Sequence, residues 1–144
     1  IIDRVQRDPL FMEYMAGKKQ VIRTTELFGC QWKIKIDSRH RDKIMDLKVM
    51  RSMERVMGKS FVEYWGYDLQ TAIYAAVEEK ALNRKTPFDT YLAVVTKQVP
   101  SDLEIIEIPK WRREELLADV KRALPHILDV KNGKKEPERC GVCE

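Results

Sequence analysis

The run IMDLKV at residues 44–49 sets an aspartate and a lysine two apart inside an apolar stretch, and no other part of the chain restricts the fold more. Extended chain alternates its side chains, so Ile44, Asp46 and Lys48 share one face while Met45, Leu47 and Val49 share the other. The Met45 face is expected to bury. The other face must hold its opposite charges either at a solvated edge or in a polar recess of the kind a metal-dependent hydrolytic site requires.

The neighbouring segments supply a frame for that strand. From Ile1 to Met15, apolar residues recur at helical spacing, with Pro9 restarting or kinking the helix and Gly17 stopping it. Val21 to Phe28 and Gln31 to Asp37 read as strands joined at Gly29-Cys30, and the polar run Ser38 to Lys43 turns the chain into IMDLKV. Phe61 to Leu82 reads as one long helix, because Phe61, Trp65, Leu69, Ile73 and Val77 step by four along one stripe. Asn83 to Pro87 breaks it. Two β-rich runs follow, Phe88 to Thr96 and Leu103 to Ile108, and then an amphipathic helix from Pro109 to Leu128 that is expected to break at Pro125. The predicted order is αβββαββα, a mixed sheet flanked by helices in the α/β (α+β) class, forming one domain over residues 1–130 with an exposed tail over 131–144.

A chain of 144 residues is long enough to bury one core without staples. With 44% hydrophobic and 35% charged residues, it lies outside the disordered class. The apolar runs are too short to span a bilayer and no secretory h-region follows the N-terminus, so a cytoplasmic location without membrane association is expected. The formal charge of +4 is compatible with a polyanionic partner without requiring one. Three cysteines, Cys30, Cys140 and Cys143, form an odd set unlike a secreted disulfide framework.

Asp37 ends the second predicted strand and Asp46 lies in the third. An antiparallel hairpin around residues 38–43 brings both carboxylates to its mouth, where they would repel one another unless a hard divalent cation such as Mg²⁺ lay between them. Such an ion polarises a scissile phosphate and lowers the pKa of bound water; Lys48 would hold the attacking water or the developing charge. Gln70 and Tyr74, four apart on the long helix, project from one face, with Tyr67 one turn earlier. Each of these alone is equally an ordinary surface or half-buried residue.

Taken in order, Asp37, then Asp46-Leu47-Lys48, then Gln70 and Tyr74 within GYDLQTAIY resemble the PD-(D/E)XK nuclease superfamily, in particular its RecB-like and RecE-like phage exonuclease branch. The resemblance covers nearly the whole chain. It implies a restriction-endonuclease-like core, metal ligation by Asp37, Asp46 and the Leu47 carbonyl, catalysis by Lys48, and Gln70 and Tyr74 shaping the site and touching DNA. It further implies an exodeoxyribonuclease acting on double-stranded DNA ends in phage or prophage recombination, with Mg²⁺ (or Mn²⁺) as cofactor, a single-strand annealing recombinase as partner and a homo-oligomeric form. Ile36 stands where the family commonly has proline, and Glu13 is the only late candidate for the acid that relatives place on a first helix.

The ending PERCGVCE also resembles relatives with C-terminal cysteines. Cys140 and Cys143 alone supply half of a four-ligand site, so neither an iron–sulfur cluster nor zinc is expected here. His40 reads as a solvated turn residue beside the site, and His126 as structural. Arg39, Arg41, Lys43, Arg51, Arg55 and Lys59 form either a phosphate-binding flank or a solvated face. The competing classes are a non-catalytic DNA-binding or assembly subunit of the same fold, and a cysteine-dependent metal or redox module.

Overall fold

The computed structural model describes residues 1–138 and Gly141; Cys140 and Cys143 lie outside the described residues. Two short helices, α1 (Ile2–Gln6) and α2 (Pro9–Tyr14), precede strands β1 (Lys18–Leu27), β2 (Cys30–Arg39) and β3 (Lys43–Met50). Helices α3 (Phe61–Tyr64) and α4 (Tyr67–Ala81) cross to β4 (Asp89–Thr96), and β5 (Leu103–Glu107) and α5 (Lys110–Lys131) complete the chain. The sheet order is β1-β2-β3-β4-β5, with β3 and β4 parallel and the remaining neighbours antiparallel. Among the described residues no helix is long and apolar enough to cross a membrane.

Local chemistry accounts for most boundaries. The Asp8 carboxylate caps the Phe11 amide and Pro9 occupies the first turn of α2, so the proline separates two helices as expected. Phe28 (φ 54°) and Gly29 (φ 80°) form a two-residue reversal between β1 and β2, the positive-φ pair that matches the twist of a hairpin. Ser60 starts α3 by accepting the Glu63 amide at 3.2 Å.

Three expectations need correction. The helix expected over residues 61–82 is two helices, because Gly66 takes φ 65° and redirects the chain; Trp65 consequently leaves the predicted stripe and is 56% exposed. Helix α5 runs through Pro125 to Lys131 without a break. Pro125 lies on the exposed side of α5, where solvent can take the carbonyl that its missing amide frees. On β3, Met45 is buried with Phe11 and Ala93 beneath α2, but Leu47 and Val49 are largely exposed, and the face bearing Ile44, Asp46 and Lys48 is the better covered. α2 packs on the sheet at Met45 and Ala93, and α1 faces Leu47 and Val49 across an open cavity of about 380 Å³, whereas α4 meets Ile44 through Ala75, and Asp46 and Lys48 through Gln70.

That coverage buries polar groups as well as apolar ones. Ile34, Ile36, Ile44, Ala75 and Phe88 pack in one cluster between sheet and α4, and Phe61, Leu92, Val94 and Ile108 in another. Near the C-terminal end of α4, fully buried Glu78 accepts two hydrogen bonds from Arg23, at 2.6 and 3.0 Å, and pairs with the Arg39 guanidinium at 2.8 Å, which offsets the cost of removing its charge from water. The Asp68 carboxylate, buried at the start of α4, likewise meets Arg112 at 3.0 Å and ties α4 to α5. An ideal Cβ on Gly66 meets nothing within 4 Å, so only its backbone conformation demands glycine. Gly66→Ala should therefore cost about 1 kcal/mol in denaturant-melt stability, with no loss of compactness.

Candidate active site

The site begins where the sheet opens. β2 and β3 pair only at Ser38↔Met45 and Arg39↔Ile44 and then diverge. The alternation of β2 slips at the same place: Ile36 faces α4, Arg39 also reaches Glu78 on α4, and Ser38 turns to the opposite side, where its hydroxyl accepts the Gly17 amide. Asp37 is therefore aimed neither up nor down but into the gap. One carboxylate oxygen accepts the Leu47 amide at 2.9 Å and the other accepts Gln20 Nε2 at 3.0 Å. Strand β2 continues past Asp37 to Arg39 instead of ending there, and this continuation is what pins the divergence.

In an extended residue the amide and carbonyl point to the same edge, so the Leu47 carbonyl also faces the gap, where β2 offers no ladder partner. On the adjoining residues the side chains turn up toward α4. Asp46, in register with Leu92 and 3% exposed, accepts Gln70 Nε2 at 3.2 Å through Oδ1. Its Oδ2 lies 2.6 Å from Lys48 Nζ yet has no aligned hydrogen-bond donor. The short ion pair and the missing hydrogen bond describe one arrangement: the charges attract at close range while a lone pair remains open.

Gln70 links the set. Its Oε1 accepts from Lys48 Nζ at 2.8 Å, and its Nε2 donates to both Asp46 and Tyr74 Oη, the latter at 2.9 Å. Only this orientation of the amide satisfies an ammonium on one side and a carboxylate on the other. Lys48 Nζ also sits 4.3 Å from the centroid of the Tyr67 ring, which holds the cation by its π face. All five side chains predicted for the site, Asp37, Asp46, Lys48, Gln70 and Tyr74, thus meet at one opening, together with the Leu47 backbone.

Burial pushes the Asp46 carboxyl above its ordinary range; the Lys48 ammonium pulls it back without prevailing, and the charge of Asp37 adds to the upward shift. The ionised form of Asp46 thus bears a desolvation cost that its pairing with Lys48 only partly offsets. Two carboxylates, one of them with an open lone pair, and one carbonyl without a ladder partner form an all-oxygen donor set of the kind Mg²⁺ prefers, with its remaining positions left to water and substrate. Among the described residues no cluster of three or more His, Cys, Asp or Glu gathers around a metal position, so the protein's share would be Asp37, Asp46 and Leu47. Glu13 is exposed on α2, across the sheet from Asp46, and takes no part.

Several neighbours differ from expectation. His40 is half-buried with Nε2 2.7 Å from the Tyr14 carbonyl, so it anchors the end of α2 and is not a solvated turn residue. Arg39 is engaged by Glu78, and the Lys43 ammonium lies 4.0 Å from the Tyr14 ring centroid; neither is a free phosphate contact. Arg51, Arg55 and Lys59 are exposed beyond the end of β3. Gln20 was not anticipated, although once the hairpin turn is placed at Phe28-Gly29 the register sets it opposite Asp37. Glu78 was missed too, despite continuing the four-residue step Gln70, Tyr74, Glu78 along α4.

Comparison with known proteins bears on the fold and the family. A Eubacterium rectale protein whose crystal structure bears the name "Putative exonuclease" superposes with a TM-score of 0.89 at 44% identity, over 100% of this chain and 56% of that one. The chain thus spans little more than half the length of that relative. A second solved structure, SSO0001, matches at TM-score 0.38 and 15% identity over 85% of this chain and 58% of that one, too weakly to bear on the fold. No curated protein matches the chain. The profile of a family described as PDDEXK-like domain of unknown function (DUF3799) matches residues 1–144, and the chain belongs to that family.

Proposed function

We propose that this chain is the nuclease domain of a Mg²⁺-dependent exodeoxyribonuclease that hydrolyses phosphodiesters at double-stranded DNA ends, in the setting of phage or prophage recombination. The observation that carries the hydrolytic part is the meeting of Asp37, Asp46 and the free Leu47 carbonyl beside an amine held by Gln70. Support for exonuclease action comes from the name given to the Eubacterium rectale relative, and from the PD-(D/E)XK character of the family. The partner class that follows is a protein that takes up the single strand left by resection.

When bound, Mg²⁺ would neutralise phosphate charge and ease ionisation of the attacking water. The chain's own groups do the remaining work. Gln70 fixes Lys48 Nζ against Asp46, so the ammonium donates toward a water or a phosphate oxygen from one defined position. Tyr74 Oη accepts from Gln70, which leaves its own proton free to donate toward the open side of the site. Leu92 and Val94, beside Asp46 and Lys48 in register, keep the floor of the site dry and strengthen every charge interaction above it.

Incubating the protein with linear and closed-circular duplex DNA tests this reading. Linear DNA should be degraded with Mg²⁺ and spared with chelator, and the circle should survive in both. Asp46→Asn should abolish the activity, and Lys48→Ala should lower the rate constant by roughly 100-fold, the scale of losing one charge-stabilising donor. DNA binding without cleavage under all conditions would favour a non-catalytic subunit instead.

Metal-free stability offers a second test, with a defined sign. Asp46 binds its proton more tightly folded than unfolded, so its contribution to stability is present below the ordinary aspartate range and is lost as pH rises through the elevated folded value. In chelator at neutral pH, Asp46→Asn should therefore melt above the wild type, and the gap should close as pH falls toward the ordinary carboxylate range. Added Mg²⁺ should raise the melting temperature of the wild type and leave that of Asp46→Asn unmoved.

A further inference from the structure

The break between α3 and α4 has a cost and a product. It requires a left-handed glycine, and it lifts Trp65 out of the core to 56% exposure, with Tyr64 edge-on to it at a ring-centroid distance of 4.9 Å. A large aromatic surface is thereby held open to solvent. With Tyr67, Met50, Arg51 and Val56, Trp65 lines a cavity of about 370 Å³ just past the end of β3, a size in the range of small-ligand sites. Tyr67 belongs to both places: it lines this cavity, and its ring carries the Lys48 ammonium.

We infer that this cavity is a nucleobase subsite: Trp65 and Tyr67 take the unpaired base of the nucleotide adjoining the scissile phosphate, so the strand being cut is single-stranded or frayed at the site. The inference rests on the nuclease reading and adds the form of the substrate at the moment of cleavage. A base and its phosphate are joined through one sugar, and the cavity adjoins the Lys48 amine through a single shared ring, which matches that connectivity. A base within a duplex is stacked on both faces and offers none to a tryptophan; an unpaired base does, without regard to its identity.

Charge identifies a nucleic acid, as opposed to an apolar protein segment, as the occupant. The loop over residues 51–60 that borders the cavity carries Arg51, Arg55 and Lys59 against Glu54 alone, and all three cations are exposed and absent from the ion pairs of the described residues. Such a border attracts a phosphate backbone while the aromatic wall takes the base. Trp111, 66% exposed on α5, has no comparable connection to Lys48 and serves as the internal control.

The test is fluorescence anisotropy in chelator, with a labelled single-stranded oligonucleotide and a blunt hairpin duplex of matched composition. Trp65→Ala should weaken single-strand binding by roughly tenfold, while Trp65→Phe, which keeps a stacking ring, stays within about threefold of wild type. Duplex binding by Trp65→Ala and single-strand binding by Trp111→Ala should be unchanged. Undiminished single-strand binding by Trp65→Ala, or equal loss on both oligonucleotides, overturns the subsite. Absence of binding by every protein overturns the nuclease reading together with it. Trp65-dependent single-strand binding by a protein that cuts nothing in Mg²⁺ would end the nuclease reading and leave the subsite in place.

Discussion

Strands β2 and β3 stop pairing after two residues, and the Leu47 amide that would have continued the ladder is taken by the Asp37 carboxylate. An unpaired amide inside a sheet is costly, so this hydrogen bond stabilises the opening and holds it at one width. The geometry of the candidate site follows from that exchange. The bond turns Asp37 into the gap beside Leu47, next to Asp46 in the chain, and leaves the Leu47 carbonyl without a ladder partner on β2. Gln20, opposite Asp37 on β1 with φ 53°, holds the other carboxylate oxygen and steadies the same distortion from behind.

Helix α4 carries the complementary constraint. Gln70, Tyr74 and Glu78 form a polar row facing the sheet, where an ordinary amphipathic helix would place aliphatic residues. Each has its partners: Gln70 hydrogen-bonds Lys48, Asp46 and Tyr74, and Glu78 accepts two hydrogen bonds from Arg23 and forms an ion pair with Arg39. The row has two functions. Glu78 locks α4 to β1 and β2 at the closed end, so that Gln70 can hold Lys48 steady at the open end. Burial beneath α4 is what raises the affinity of Asp46 for a proton.

The order of helices and strands was legible because period-two and period-four patterns are local properties; spacing put Asp46 with Lys48, and Gln70 with Tyr74, on common faces, while the grouping of these four with Asp37 came from the family resemblance. What the chain conceals is tertiary. Leu47 and Val49 look as buried as Met45 in one dimension, and the open cavity between them and α1 leaves them exposed. Trp65 fits a four-residue stripe perfectly until Gly66, a residue that many helices tolerate, turns the backbone instead. Pro125 reads as a break, yet on the exposed face of a long helix its missing hydrogen bond is easily replaced. Gln20 becomes visible only after the hairpin register is known, since nothing in its own neighbourhood marks it.

The convergence of two carboxylates on one cation is the claim from which the rest derives. Titrating the protein with Mn²⁺ while following loss of its free electron-paramagnetic-resonance signal measures that site directly, independent of any substrate. A single competent site, displaced by excess Mg²⁺ and abolished in both Asp37→Asn and Asp46→Asn, is the result the geometry requires. Binding that survives either substitution unchanged would mean that these two acids do not hold a common ion, whatever reaction the protein performs.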